Sequence, residues 1–169
     1  MGYYVRTTNT NFFLAKENFE QAHRLMCSLN QHDEMKRGGS WGGDGVTADS
    51  PRPAGMDHHP ARWFSWLSAD YPKEHPTFES LMTALDFQVS FDDDGNVTDL
   101  AYDNKSGQEE LFLNAIAPLV KEGSYIGWQG EDGEMWVNVF KGGVMVTDGR
   151  NLNNAYEDAF RQVVDSLLG

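Results

Sequence analysis

Three short apolar runs late in the chain, Ser124 to Gln129, Glu134 to Phe140 and Val144 to Asp148, are separated only by Gly130-Glu-Asp-Gly133 and Lys141-Gly-Gly143. Connections this short and this rich in glycine reverse the chain tightly, because glycine enters the positive-φ conformations that such turns need. Strand-length runs joined by tight turns pair with their neighbours in antiparallel fashion. The spacing therefore predicts a three-stranded meander. A meander with an apolar face needs a cover, and helical patterns elsewhere in the chain supply candidates.

Upstream, Tyr3 to Thr8 is rich in strand formers and reads as a first strand. Asn18 followed by Gln21 has the form of a capping box, and Phe19, Ala22, Leu25, Met26 and Leu29 recur at helical spacing, predicting a helix over about 18–30. A short helix is expected after Pro60, with Trp63, Phe64 and Leu67 on one side, and another from Pro76-Thr77, carrying Phe78, Leu81, Met82 and Leu85. Gln88 to Phe91 and Val97 to Tyr102 read as strands joined by the turn Asp92-Asp-Asp-Gly-Asn. Ser106 or Gly107 opens a helix that buries Leu111, Phe112, Ala115, Ile116 and Leu119 and ends at Pro118 and Gly123. A last helix is expected over about 153–168, with Tyr156, Ala159, Phe160, Val163, Val164 and Leu167 inward. The element order predicts a single α+β domain over 1–169, an antiparallel sheet with helices packed mainly on one face.

The segment 36–60 interrupts this pattern. Lys36-Arg-Gly-Gly-Ser-Trp-Gly-Gly-Asp-Gly is followed by Pro51, Pro53 and Pro60, a density that predicts a long irregular loop. Loops beyond about 12–15 residues are uncommon in compact domains unless they carry function or are disordered. Lys36, Arg37, Ser40, Trp41, His58, His59, Arg62, Trp63 and Trp66 in and beside it are candidates for a ligand-holding or anchoring site. Cations and exposed amides would suit an anion, and tryptophan and arginine dominate binding hot spots.

Charge is distributed unevenly. Residues 1–62 hold 7 Lys/Arg and 7 Asp/Glu, whereas 63–169 hold 6 and 19, so the entire net charge of −13 sits in the second part. Such a surface repels phosphate backbones and anionic membranes. Direct nucleic-acid binding is disfavoured, and a basic protein, or one that itself binds DNA, is the expected kind of partner. Asp92, Asp93, Asp94, Asp99, Asp103, Glu109 and Glu110 make up the expected acidic face.

Catalytic and metal signatures are incomplete. Asp92-Asp-Asp-Gly-Asn-Val97 starts like a calcium loop but has Val97 where the sixth-position glycine must stand. His58 and His59 are adjacent, so their side chains diverge, and no zinc spacing exists. Ser40 lies in Gly38-Gly-Ser-Trp-Gly without the preceding strand a nucleophile turn requires. Cys27, the lone cysteine, lies in an apolar helical stripe, which fits a packed thiol better than a nucleophile. No cofactor, metal site or catalytic residue is predicted. With no basic-then-apolar leader at Met1 and no run approaching the roughly 20 apolar residues of a spanning helix, a cytoplasmic protein with no membrane partner is expected.

Lys36-Arg-Gly-Gly-Ser-Trp41 with Arg52-Pro-Ala-Gly-Met56, and Gly130-Glu-Asp-Gly-Glu-Met-Trp136, resemble a family of small uncharacterised proteins of bacteriophage and bacterial genomes. The resemblance spans most of the chain and implies a phage or mobile-element accessory protein in the host cytoplasm. It brings no catalytic residues with it. Together these observations lead to the expectation of an acidic, non-enzymatic interaction protein that modulates a host protein, DNA mimicry being one form of this. Two alternatives are a small anionic-ligand binder or enzyme with a pocket under 36–66, and a structural component of a larger assembly. The pocket alternative requires Lys36, Arg37, Ser40, His58, His59 and Arg62 to converge on one cavity.

Overall fold

A computed structural model of the chain describes residues 2–43 and 45–148. In chain order these form β1 (Tyr4–Asn11), α1 (Phe19–Ser28), β2 (Gly38–Gly39), β3 (Arg62–Trp63), α2 (Tyr71–Glu74), α3 (Phe78–Ala84), β4 (Gln88–Phe91), β5 (Val97–Ala101), β6 (Asp103–Lys105), α4 (Glu109–Ile116), β7 (Tyr125–Gly130), β8 (Met135–Lys141) and β9 (Val144–Asp148). The helix expected over about 153–168 lies outside the described residues.

The fold is α+β. Its main sheet has the order β6-β1-β7-β8-β9, antiparallel throughout. The meander forms as expected, and β1 is inserted between it and β6. Pairing of Ile126 with Asn138 and Trp128 with Trp136 sets the register. It places Ile126, Trp128 and Phe140 on one face, where they pack with Phe112, Leu113 and Ile116 of α4 and with Ala22 and Met26 of α1. A bulge between Thr7 and Thr10 bends β1. Beyond it, Leu14 and Val97 exchange backbone hydrogen bonds of 3.0 Å, which docks the β4–β5 hairpin on the first strand.

The helix expected after Pro60 does not form. Arg62 and Trp63 instead pair with Gly39 and Gly38. The Trp63 ring lies so close over Gly38 that any Cβ there would collide with it. Ser65 then takes φ +43°, and Leu67 N–H donates to Phe64 at 2.8 Å, closing a turn. The short ribbon closes off the irregular 36–60 segment at its base.

Asn18 does not cap α1. A 3₁₀ turn over Lys16–Asn18 runs straight into the helix, leaving Asn18 at φ −98°, ψ 0° with no side-chain capping bond. Thr77 does cap α3. Its Oγ1 accepts from Ser80 N at 3.1 Å, and Ser80 Oγ accepts from Thr77 N at 3.1 Å. Losing this reciprocal pair in Thr77→Ala should cost about 1 kcal/mol, read as a lower urea midpoint with an unchanged denaturant slope.

Candidate functional site

The residues around 36–66 are organised by Asp33, a position with no local sequence signature. Its Oδ1 accepts from Lys36 Nζ at 2.8 Å and from His59 N at 3.1 Å, and its Oδ2 accepts from Arg52 Nε at 2.8 Å. Its backbone carbonyl accepts from Arg62 Nη1 at 3.3 Å. Burial works to raise the Asp33 carboxyl, but the hydrogen bonds from Lys36 and Arg52 outweigh it and hold it at about 2. The Lys36 side chain is wholly buried, with its ammonium also bonded to Asn30 O at 2.8 Å and 5.7 Å from the centre of the Phe64 ring. That burial lowers its pKa, against the pull of Asp33.

His59 and Arg62 are similarly committed to the loop. His59 is buried, with Nε2 donating to Ser50 O at 2.7 Å and Nδ1 accepting from Ala61 N at 3.0 Å, a pattern that fixes the neutral Nε2–H form. Arg62 Nε donates to Ala48 O at 2.8 Å, and its guanidinium lies 5.9 Å from the ring of Trp41. His58 Nδ1 contacts Asp57 at 2.7 Å. Ser40 is exposed, its backbone N–H donating to Ala61 O. Trp63 is half-buried on Gly38, while Trp41 and Trp66 are 59% and 44% exposed.

A cleft of about 620 Å³ does open beside this loop, between residues 34–37 and 106–111. Lys36 and Arg37 line it; Ser40, His58, His59 and Arg62 do not. Glu34, Glu109 and Glu110 line it too, which opposes an anionic occupant. Only two of the six side chains proposed to hold an anion therefore line this cleft. Gln108 clamps the loop to the start of α4, its Oε1 accepting from Arg37 N and Ser65 N and its Nε2 donating to Met35 O at 2.6 Å.

The seven carboxylates of the expected acidic face divide into two groups. Glu109 is buried, and its carboxylate accepts from Gly107 N at 2.7 Å, so it belongs to the interior; desolvation raises its pKa. Glu110 accepts from Asn138, which also accepts from Trp128 Nε1 at 2.6 Å. Asp99 is bonded by Thr10 Oγ1. Asp92 knits its own turn, accepting from Asp94 N at 3.0 Å and Asn96 N at 2.9 Å. The Asn96 side chain that also binds it lowers its pKa. Asp93, Asp94 and Asp103 remain exposed, Asp103 on the edge strand β6 opposite Arg6. Among the described residues no group of three His, Cys, Asp or Glu is placed to hold a metal ion.

A second feature was not visible in the sequence. The Asp92–Asn96 turn is seated on the start of α1, where Asn96 Oδ1 accepts from Lys16 N at 3.0 Å. This brings Phe91, 40% exposed, edge-on to Phe19 with ring centres 6.2 Å apart, and Phe19 stacks on Phe78 at 5.1 Å. Beside them a groove of about 390 Å³ runs between α1 and the capped start of α3, with the exposed Glu20 and Glu79 on its walls. His23 also lines it, its Nε2 2.7 Å from His75 O. Cys27 lies one turn further along, and burial pushes its thiol up to about 11, which suits a packing role. Phe19 reads as part of a core stripe and Phe91 as the end of a strand; only the tertiary seating of the hairpin joins them.

Fold and surface together define an acidic α+β protein in which Lys36, Arg52 and Arg62 are held by loop partners and Asp93 and Asp94 face solvent. The chain matches no family model, no curated protein and no solved structure. Among the described residues no helix is long and apolar enough to cross a membrane. The segments 36–41, 52–56 and 130–136 have architectural places. Lys36 and Arg52 bind Asp33, and Gly130-Glu-Asp-Gly133 turns β7 into β8 while the Tyr3 hydroxyl bonds Asp132.

Proposed function

We propose that this protein is a non-enzymatic interaction module that binds a basic partner protein, in the manner of a phage or mobile-element accessory protein acting on its host. The observation that carries this reading is the rigid presentation of Asp93 and Asp94. Their turn is knitted by Asp92 and anchored on α1 through Lys16 and Asn96, and neither makes an ion pair among the described residues. The net charge of −13 surrounds that tip with a field of the same sign. Preorganised unpaired carboxylates steer a cationic partner and lose little entropy on contact. DNA mimicry is one form such a module can take, with a DNA-binding protein as the partner.

Immobilised protein incubated with bacterial lysate at low salt should retain a basic protein. Retention should fall at high salt and with the double variant Asp93→Lys/Asp94→Lys, whose exposed positions leave the fold intact. If nothing is retained at low salt, or if retention is indifferent to both salt and charge reversal, the reading is wrong.

A further inference from the structure

We propose that the groove between α1 and α3 receives one large apolar side chain from the basic partner, with Lys or Arg residues beside that side chain meeting the carboxylates around the groove. This rests on the reading of an acidic interaction module and assigns it an anchoring site. Specific interfaces place a desolvated apolar anchor at the centre and polar groups at the rim. The groove has that anatomy. Its floor is the stacked pair Phe19 and Phe78, its walls end in Glu20 and Glu79, and Phe91 stands edge-on to Phe19 beside it. Asp93 and Asp94 follow Phe91 within the same hairpin, so two exposed carboxylates without an ion pair among the described residues adjoin the aromatic surface.

Charge complementarity identifies the occupant. The carboxylates on and beside the groove are Glu20, Glu79, Asp93 and Asp94. Cations beside them include Arg24, paired to Glu20 at 3.1 Å with both side chains largely exposed, and Lys16 beside the hairpin. An exposed pair of this kind is worth little and yields readily to a competing cation. An acidic or phosphorylated segment would meet repulsion here. A hydrophobic residue flanked by cations meets an aromatic floor and oppositely charged walls. His23 is held by the carbonyl of His75, and the reciprocal Thr77–Ser80 cap fixes the α3 wall, so the groove is formed before anything enters it.

The test is a selection from a displayed library of random 12-residue peptides against the whole chain. Enriched peptides are then titrated by fluorescence anisotropy and mapped by backbone amide shifts. Enriched peptides should carry a large apolar residue close to Lys or Arg and should move the amides of Phe19, His23 and Phe78. Changing that apolar residue to alanine should weaken binding at least about 30-fold, as truncating a central anchor does. Phe91→Ser and Glu20→Gln/Glu79→Gln, both confined to exposed positions, should each weaken it in protein whose amide spectrum shows that it is still folded at the titration temperature. Basic peptides that shift other amides, or that bind equally well without the apolar residue, overturn the groove and leave the acidic reading standing. Apolar peptides of neutral or acidic character seated in the groove overturn the basic partner. Absence of any enrichment overturns the proposal outright.

Discussion

Asp33→Ala should lower the stability of the folded chain by about 3–5 kcal/mol, the scale seen when one partner of a buried ion pair is removed. Three donors lose their acceptor at once. Lys36 is the most exposed to this loss, because its side chain is wholly buried and its remaining hydrogen-bond partner is the neutral carbonyl of Asn30. Arg52 and the backbone N–H of His59 lose their tether to the same carboxylate. The change should therefore release the 36–60 segment as well as lower the global midpoint. Urea unfolding reads the first effect, and limited proteolysis within 36–60 the second.

Acid should act on the same hub. The Asp33 carboxyl titrates at about 2 in the folded chain against an ordinary 3.8, so the folded state holds its proton less tightly than the unfolded state does. Stability from this group is complete above the ordinary value and is lost as the pH falls toward 2. The difference corresponds to about 2 kcal/mol. Glu109 runs the other way. Burial raises it, so its contribution favours the folded state at low pH and is lost as the pH rises through its folded value. Stability measured from about pH 5 to about pH 2 in a Glu109→Gln background should fall steadily. The same series carrying Asp33→Asn should fall less steeply, the remaining slope coming from carboxylates such as Asp92 that are also held low. Parallel curves would show that Asp33 does not carry the ionic load assigned to it.

Phe64→Ala is the second large expected effect, about 3–5 kcal/mol from lost burial and the cavity left behind. Phe64 is fully buried, and its ring stands edge-on to Phe112 at 5.3 Å and to Tyr71 at 6.1 Å. Tyr71 and Phe112 are themselves edge-on at 5.7 Å, so three rings from the loop, α2 and α4 close on one another. Tyr71 also donates to Met26 O at 2.6 Å, which draws α1 into the same cluster. Unlike the loss at Asp33, this one should be insensitive to salt and pH. Phe91→Ala, at a ring 40% exposed, should cost far less, and thermal melts of the two variants side by side give the comparison.

The parts of this fold readable from sequence are those whose causes lie within a few residues. The meander follows from strand-length apolar runs and glycine turns, and the β4–β5 hairpin from Asp92 to Asn96. Thr77 caps α3 because Ser80 is three positions away. The parts that were not readable depend on distant partners. Arg62 and Trp63 look helical until Gly38 and Gly39 are set beside them. Glu109 reads as surface charge, yet the Gly107 and Ser106 donors ahead of α4 let it be buried. The candidate site divides in the same way. The exposed tip at Asp93 and Asp94 is evident from composition, whereas the groove exists only because the hairpin lands on α1. Two of the loop cations, Lys36 and Arg52, gave the most misleading signal, since only the fold brings both onto the carboxylate of Asp33.

The position of β1 bears on how quickly this chain can fold. Val5 faces Gly130 and Asn104, and Tyr4 faces Lys105, so the first strand cannot pair until partners about 100 and 125 residues away have arrived. The meander β7–β9 needs only short turns and can close on its own timescale. Loop-closure entropy must be met before the longer pairings return anything. Refolding should therefore show an early phase that protects the amides of β7 to β9 and a slower one that protects β1. In the interval between them the β7 edge that β1 will occupy is open, and the chain is at its most vulnerable to pairing with another copy of itself.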